Sequence, residues 1–300
     1  MLEDCGIQYL INPINRKLQE AELASLIGDC DVLIAGTEPI TDNVLAHAPK
    51  LKLISRVGIG LDSIDLLAAE RRGVLVSYTP DAPTDAVAEL TIGLILAVLR
   101  SVHVSNMGLH VGEWHRYLGR RLSKCTVGII GFGRIGSRVL QHLCGFECNR
   151  ILLNDVDEAK LPDSRLPWEW QDKETIYREA DVITFHVPLT ATTRHMIGTT
   201  ELEMMKPDAV LINTSRGGII DEDDLFCALS NGHLGGAAID VFETEPYAGP
   251  LSTIDRCLLT AHMGSMSEDC RVRMEIEATE EAVRFLTGQS LAQEAPVNEY

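Results

Sequence analysis

The sequence predicts an α/β protein with two parallel-sheet units, and three observations carry that reading. Short apolar runs rich in β-formers alternate with helical patterns from one end to the other, the signature of strand–helix–strand crossovers. A break at Tyr78-Thr-Pro-Asp-Ala-Pro-Thr84, where two close prolines disfavour helix, separates two such series. A chain of 300 residues also exceeds the size at which one core keeps growing, so two are favoured.

In the first series the expected strands are Ile7–Ile11, Val32–Ala35, Leu51–Arg56 and Val74–Ser77. Helical patterns at Leu18–Ile27 and Asp65–Arg72 lie between them, and Gly73 stands where a helix-ending glycine belongs. After the break, Asp85–Arg100 reads as a helix apolar on nearly every face, which must be buried in a core or a subunit interface. The second series then has strands at Thr126–Ile130, Ile151–Leu153, Val182–Phe185, Val210–Ile212, Ala237–Ile239 and Leu258–Leu259. A charged amphipathic helix, Ser267–Leu286, closes it.

Composition excludes several classes. Lys plus Arg number 26 against 44 Asp plus Glu, a formal charge of −18. So acidic a surface repels phosphate backbones and anionic head groups, which argues against nucleic acid and membrane surfaces as partners. The eight cysteines are scattered without a Cys-x-x-Cys pair or a histidine cluster, as expected of reduced thiols in a cytoplasmic protein with no metal site. Met1-Leu-Glu-Asp-Cys-Gly lacks signal-peptide character, and the apolar stretch Ala86–Leu99 contains Glu89 and is too short to span a bilayer.

The sharpest local signal is Thr126-Val-Gly-Ile-Ile-Gly-Phe-Gly-Arg-Ile-Gly136. Glycine triplets recur by chance, but here an apolar strand precedes the triplet and a helical pattern follows. The next strand ends at Asp155. Gly131 permits a tight turn, Gly133 lets backbone N–H groups approach a pyrophosphate, and Gly136 allows close helix–strand packing. The phosphates would sit at a helix N-terminus, where unpaired N–H groups favour anions. Asp155 would accept hydrogen bonds from a ribose diol and repel a 2′-phosphate. The expected ligand is therefore NAD, on a Rossmann-type domain running from Ala82 to Ser267.

Polar groups gather just past the later strands: His186-Val-Pro188, Asn213-Thr-Ser-Arg-Gly-Gly218, Asp240-Val-Phe-Glu-Thr-Glu-Pro246 and Ala261-His-Met-Gly264. In doubly wound sheets that edge is where ligands bind. Hydride exchange between NAD and a 2-oxo acid needs an acid/base, which a histidine supplies near neutral pH. It also needs a carboxylate to orient that histidine and favour its protonated form, and an arginine for the substrate carboxylate. Arg216, Glu245 and His262 are of those types, although each alone could be a salt bridge, a loop charge or a strand-end histidine.

These residues resemble the D-isomer specific 2-hydroxyacid dehydrogenase family, its D-3-phosphoglycerate dehydrogenase-like branch in particular. The resemblance runs through Arg56-Val-Gly-Ile-Gly-Leu-Asp62, Ala86-Val-Ala-Glu-Leu90, Val127–Gly136, His186-Val-Pro-Leu189, Met205-Lys-Pro and Arg216-Gly-Gly-Ile-Ile-Asp221, then Gly236–Pro246 and His262-Met-Gly264. It implies that Arg216, Glu245 and His262 are catalytic. It implies that Arg56, Gly58, Ile59 and Gly60 bind the substrate. Arg134, Ile135, Asp155, Val187, Thr214, Ser215, Asp240, Gly264 and Ser265 would join the three glycines around the cofactor. It further implies two Rossmann-like domains, a doubly wound NAD domain (82–267) inserted into a flavodoxin-like substrate domain (1–81 and 268–300).

The implied activity is NAD-dependent oxidoreduction of a small D-2-hydroxy acid or 2-oxo acid. A family relative that oxidises formate has an amide where Glu245 stands, which disfavours formate. Ala35-Gly-Thr-Glu-Pro39 lacks the arginine that the phosphoglycerate enzymes place there, so 3-phosphoglycerate stays open as a substrate. A homodimer through helix 85–100 is the expected assembly. The rival function is an NAD(H)-sensing interaction protein of the corepressor type. Finally, Met1-Leu-Glu-Asp reads as the tail of a first helix whose preceding strand is missing. Four parallel strands are then expected in this domain, with Ile7–Ile11 displaced or shifted into the vacant slot.

Overall fold

The structure, a computed structural model, describes residues 1–157 and 167–296. The chain divides into two compact units, one of Met1–Pro83 with the chain from Met266 onward, the other Thr84–Ser265. These boundaries fall two residues from the expected 81/82 and 267/268, and residues 297–300 of the expected substrate domain lie outside the described residues.

The first unit holds β1 (Val32–Ala35), β2 (Leu53–Arg56) and β3 (Leu75–Ser77), parallel in the order β1-β2-β3. Leu23, Ile40, Ile54 and Leu61 form its core, and the helix Glu268–Leu286 packs on β1 and β2. The Thr41 hydroxyl and the Asp65 carboxylate each accept a backbone N–H at the start of a short helix, which sets where those helices begin. After the long helix, buried Glu281 accepts the N–H groups of Ala292 and Gln293. The chain then pairs Glu294 antiparallel with Ser77 on the free edge of β3.

The expected strand at Ile7–Ile11 does not form, and the sheet has three strands instead of four. Leu10 and Ile11 are 67% and 72% exposed. An apolar alternation makes a strand only when its N–H and C=O groups meet a ladder, and none is offered to this segment. It is tied back locally instead, Ile7 N–H to the Leu2 carbonyl and the Tyr9 hydroxyl to Glu3.

The second unit contains β4 (Thr126–Ile130), β5 (Arg150–Asn154), β6 (Trp168–Trp170), β7 (Val182–Phe185), β8 (Val210–Asn213), β9 (Gly236–Ile239) and β10 (Cys257–Leu259). They form one parallel sheet in the order β10-β9-β8-β7-β4-β5-β6. The chain winds outward from β4 to β6, then restarts at β7 on the other side of β4, so the switch point lies between β4 and β7. Every residue of β4, β7, β8 and β9 is buried, which explains why these strands read as continuous apolar runs.

The helix Thr84–Leu99 packs inside this unit, on the helix Arg134–Leu143 and on β8 and β9. Its exposed residues are Asp85, Glu89 and Gly93, while Val87, Ala88, Ile92, Ile95 and Val98 are buried and Leu90 and Leu96 partly so. The uncovered apolar side chains come later, after the helix Val102–His110: Val111, Trp114 and Leu118 are 74%, 83% and 103% exposed. Among the described residues no single helix is long and apolar enough to cross a membrane, and no metal-binding group of side chains occurs. All eight cysteines are free thiols.

Candidate active site

At the switch point β4 runs directly into the helix Arg134–Leu143. Gly131 has φ +94°, and a Cβ there would lie 2.5 Å from the His186 carbonyl oxygen. A Cβ on Gly136 would meet the Gly131 carbonyl oxygen at 2.0 Å. These two glycines let the chain pack on itself. Gly133 differs: a Cβ there would meet nothing within 4 Å, and the helix that starts beside it has no side-chain cap. Open space therefore faces uncapped helix N–H groups, and the residues present fit a dinucleotide pyrophosphate. Past β5, Asp155 turns toward the loop, its carboxylate accepting Phe132 N–H at 2.5 Å and Asp157 N–H at 2.9 Å. Arg134 is exposed, and Ile135 and Val187 are half-buried.

The ends of β8, β9 and β10 build the second half. Asn213 closes β8 and accepts both the N–H and the hydroxyl of buried Ser215, while its amide donates to the Arg216 carbonyl at 2.9 Å. Thr214 meets Thr91 hydroxyl to hydroxyl at 2.9 Å. The Arg216 guanidinium donates to the Ser215 carbonyl. Past β9, fully buried Asp240 accepts the Thr260 hydroxyl and the N–H groups of Met263 and Gly264 at 2.5, 2.7 and 2.8 Å. The Asp240 backbone carbonyl accepts His262 N–H at 2.8 Å. Asp240 thus shapes the turn that carries His262, whose φ of +51° a non-glycine residue adopts only when its surroundings hold it there. Ser265 ends that turn, half-buried.

The structure brings Glu245 and His262 together: Nδ1 lies 2.9 Å from Oε2 and 3.1 Å from Oε1. Oε1 also accepts Phe242 N–H at 3.2 Å, which fixes the carboxylate. A carboxylate can only accept, so Nδ1 carries the proton and Nε2, on a ring 41% exposed, has no partner among the described residues. Arg216, Glu245 and His262 follow three adjacent parallel strands, as the sequence placed them. His186 is different. Its Nε2 bonds Thr184, its Nδ1 is buried without a partner, and burial pushes its pKa down to about 3, so it stays neutral.

In the other unit, Gly58 has φ +140° and Gly60 is buried beside it, with Ile59 half-buried. Buried Arg56 donates Nε to the Gly60 carbonyl at 3.0 Å and Nη1 to the Val57 carbonyl. This side chain shapes the Gly58–Gly60 loop, a role its sequence position did not disclose. Also missed was His195, which bonds Glu243 at 3.0 Å. No sequence spacing announces that contact, because it joins two irregular segments 48 residues apart.

The family model for the NAD-binding domain of D-isomer specific 2-hydroxyacid dehydrogenases matches residues 92–264. The chain is 39% identical to the D-3-phosphoglycerate dehydrogenase of Methanocaldococcus jannaschii over 91% of this chain and 53% of that protein, so it spans about half the length of that relative. It is 37% identical to the glyoxylate reductase of Thermococcus litoralis, over 89% of this chain and 84% of the relative. It is 36% identical to the hydroxypyruvate reductase of Thermotoga maritima, over 90% and 89%. The crystal structure of an NAD-dependent formate dehydrogenase from Staphylococcus aureus in complex with NAD superposes with TM-score 0.87 at 29% identity, covering 98% of this chain and 90% of that one. With its glycine turn, its acid past β5 and these relatives, the chain belongs to the D-isomer specific 2-hydroxyacid dehydrogenases and carries that family's NAD-binding domain.

Proposed function

We propose that this protein interconverts a small 2-oxo acid and its D-2-hydroxy acid, with glyoxylate and hydroxypyruvate as the first candidates. The observation that carries the reading is the His262 ring, held through Nδ1 by Glu245 with Nε2 left open beside the ends of β8 and β9. When bound, NADH supplies the hydride. His262 Nε2 gives a proton to the carbonyl oxygen of the 2-oxo acid, and in the reverse direction takes it back. Glu245 keeps the ring oriented and balances its charge when both nitrogens are protonated. Arg216 pairs with the substrate carboxylate and polarises the carbonyl. Arg56, Gly58, Ile59 and Gly60 of the other unit stay candidate substrate-binding residues, as the resemblance implies.

Two similar proteins named for glyoxylate and hydroxypyruvate support this substrate class. A phosphate ester is less favoured, because in Ala35–Pro39 the Glu38 carboxylate folds onto Gly36 N–H at 2.9 Å and places a negative charge there. Asp155 sets the preference for NAD over NADP by repelling a 2′-phosphate. Assembly is as a homodimer through helix 85–100, and the exposed side chains of Val111, Trp114 and Leu118 that follow it add apolar surface for the second copy to cover. The free cysteines accord with a cytoplasmic location.

The test is NADH oxidation with glyoxylate, hydroxypyruvate, phenylpyruvate and phosphohydroxypyruvate. Turnover with the first two is expected. Tight NADH binding without turnover of any of them would replace this reading with the NAD(H)-sensing interaction protein. Light scattering at micromolar concentration checks the dimer, and a monomer would remove it.

A further inference from the structure

Three irregular segments converge beside the ends of β8 and β9. The first, around His195, runs beside the second, Arg216–Glu222. His195 N–H donates to the Gly218 carbonyl at 2.6 Å, and Ile197 and Ile220 form a parallel bridge. The third is Phe242–Glu245. Gly217 lies directly on it, since a Cβ there would sit 2.0 Å from the Phe242 carbonyl oxygen, and Glu243 N–H donates to the Glu222 carboxylate at 2.7 Å.

One side chain spans all three. His195 places Nε2 at 3.0 Å from Glu243 Oε1 and Nδ1 at 3.5 Å from Asp221 Oδ2. Asp221 in turn uses Oδ1 to cap the helix Glu222–Ser230, accepting the N–H groups of Asp223 and Asp224. His195 has φ +47°, a left-handed conformation that is uncommon for a non-glycine residue and persists where neighbours impose it. Its two carboxylate partners are 30% and 35% exposed, so these contacts are solvent-screened and add little stability. What they supply is geometry.

We propose that His195 is a positioning residue for this site: through Gly218 and Asp221 on one side and Glu243 on the other, it fixes the loop of Arg216 relative to the loop of Glu245. The His262 ring, which Glu245 holds, is aimed by the same brace. The proposal rests on the roles given above to Arg216, Glu245 and His262.

The experiment compares His195→Ala, His195→Gln, Glu243→Ala and the Ala–Ala double variant. Glyoxylate turnover and NADH affinity are measured together with amide hydrogen exchange over residues 213–221 and 240–246. Displacing reacting groups by about 1 Å can cost on the order of 10²-fold, so partial loosening in His195→Ala should lower kcat roughly tenfold. NADH affinity should stay within about twofold, because the glycine loop is untouched. His195→Gln keeps a donor toward Glu243 and should recover most of the loss. The double variant should be no slower than the worse single one, the non-additivity expected of partners in one contact. Exchange should rise in the two loops only. Turnover of His195→Ala within about twofold of the unmodified protein with unchanged exchange would overturn the proposal, as would fully additive losses. Should His195→Ala not fold, His195→Gln and Glu243→Gln carry the same readouts. If the unmodified protein reduces no 2-oxo acid, the functional reading fails, while the exchange comparison still decides whether the brace exists.

Discussion

Two histidines of the NAD-binding unit look alike at first contact. His262 and His195 both have left-handed backbones, with φ +51° and +47°. Both lean on a glutamate at about the same distance, Glu245 at 2.9 Å and Glu243 at 3.0 Å, with ring exposures of 41% and 43%. They differ at the second nitrogen. His195 has a carboxylate on each side, whereas His262 has one carboxylate and an open Nε2. A ring with a carboxylate beside each nitrogen can hold segments together but leaves no open side for a substrate oxygen. A ring engaged at one is oriented and still able to exchange a proton. A histidine–carboxylate pair thus says little until the other nitrogen is accounted for.

Removing the open nitrogen should have the largest effect. His262→Ala should lower turnover by about 10²–10⁴-fold, the usual range for a general acid/base, with NADH affinity unchanged in a fluorescence titration. Arg216→Gln comes next, because loss of one preorganised donor to a polarised carbonyl oxygen costs about 10²–10³ in kcat. A loss confined to KM would move Arg216 from chemistry to binding alone. Asp155→Ser takes away hydrogen bonds to a charged acceptor worth about 1.5–3 kcal/mol, so NADH should bind roughly tenfold or more weakly while NADPH gains relative to it. Equal use of NADH and NADPH by the unmodified protein would contradict this assignment.

The smallest effect belongs to His186, the histidine whose pKa burial lowers from 6.5 to about 3. Between those values the unfolded chain binds a proton that the native ring refuses, so stability rises with pH across that window and levels off above it. His186→Gln should flatten the rise in urea midpoint between about pH 4 and 6.5 and leave the pH dependence of turnover unchanged. An unaltered stability profile would show that His186 is not held neutral.

The NAD-binding sheet was legible because β4, β7, β8 and β9 are buried throughout and run into glycines and polar groups that need a special turn. Thr126–Ile130 and Val182–Phe185 were readable to the residue. The site residues were readable as types at strand ends, but not the Nδ1 contact that distinguishes His262. Ile7–Ile11 misled because alternation reports β propensity and not the presence of a ladder partner. Helix 84–99 reads as apolar on nearly every face because Gly93 extends its exposed strip beyond Asp85 and Glu89 without a polar side chain. The short strand Trp168–Trp170 and the pairing of Glu294 with Ser77 carry too few residues for any period to show.

The central claim is that the open nitrogen of His262 does chemistry while the closed ring of His195 only positions it. Single-turnover stopped flow tests it directly, mixing each alanine variant, saturated with NADH, with glyoxylate and following loss of NADH absorbance. The account predicts equal NADH affinity in both and a hydride-transfer rate at least about tenfold lower for His262→Ala than for His195→Ala. Equal rates, or a slower His195→Ala, would contradict it.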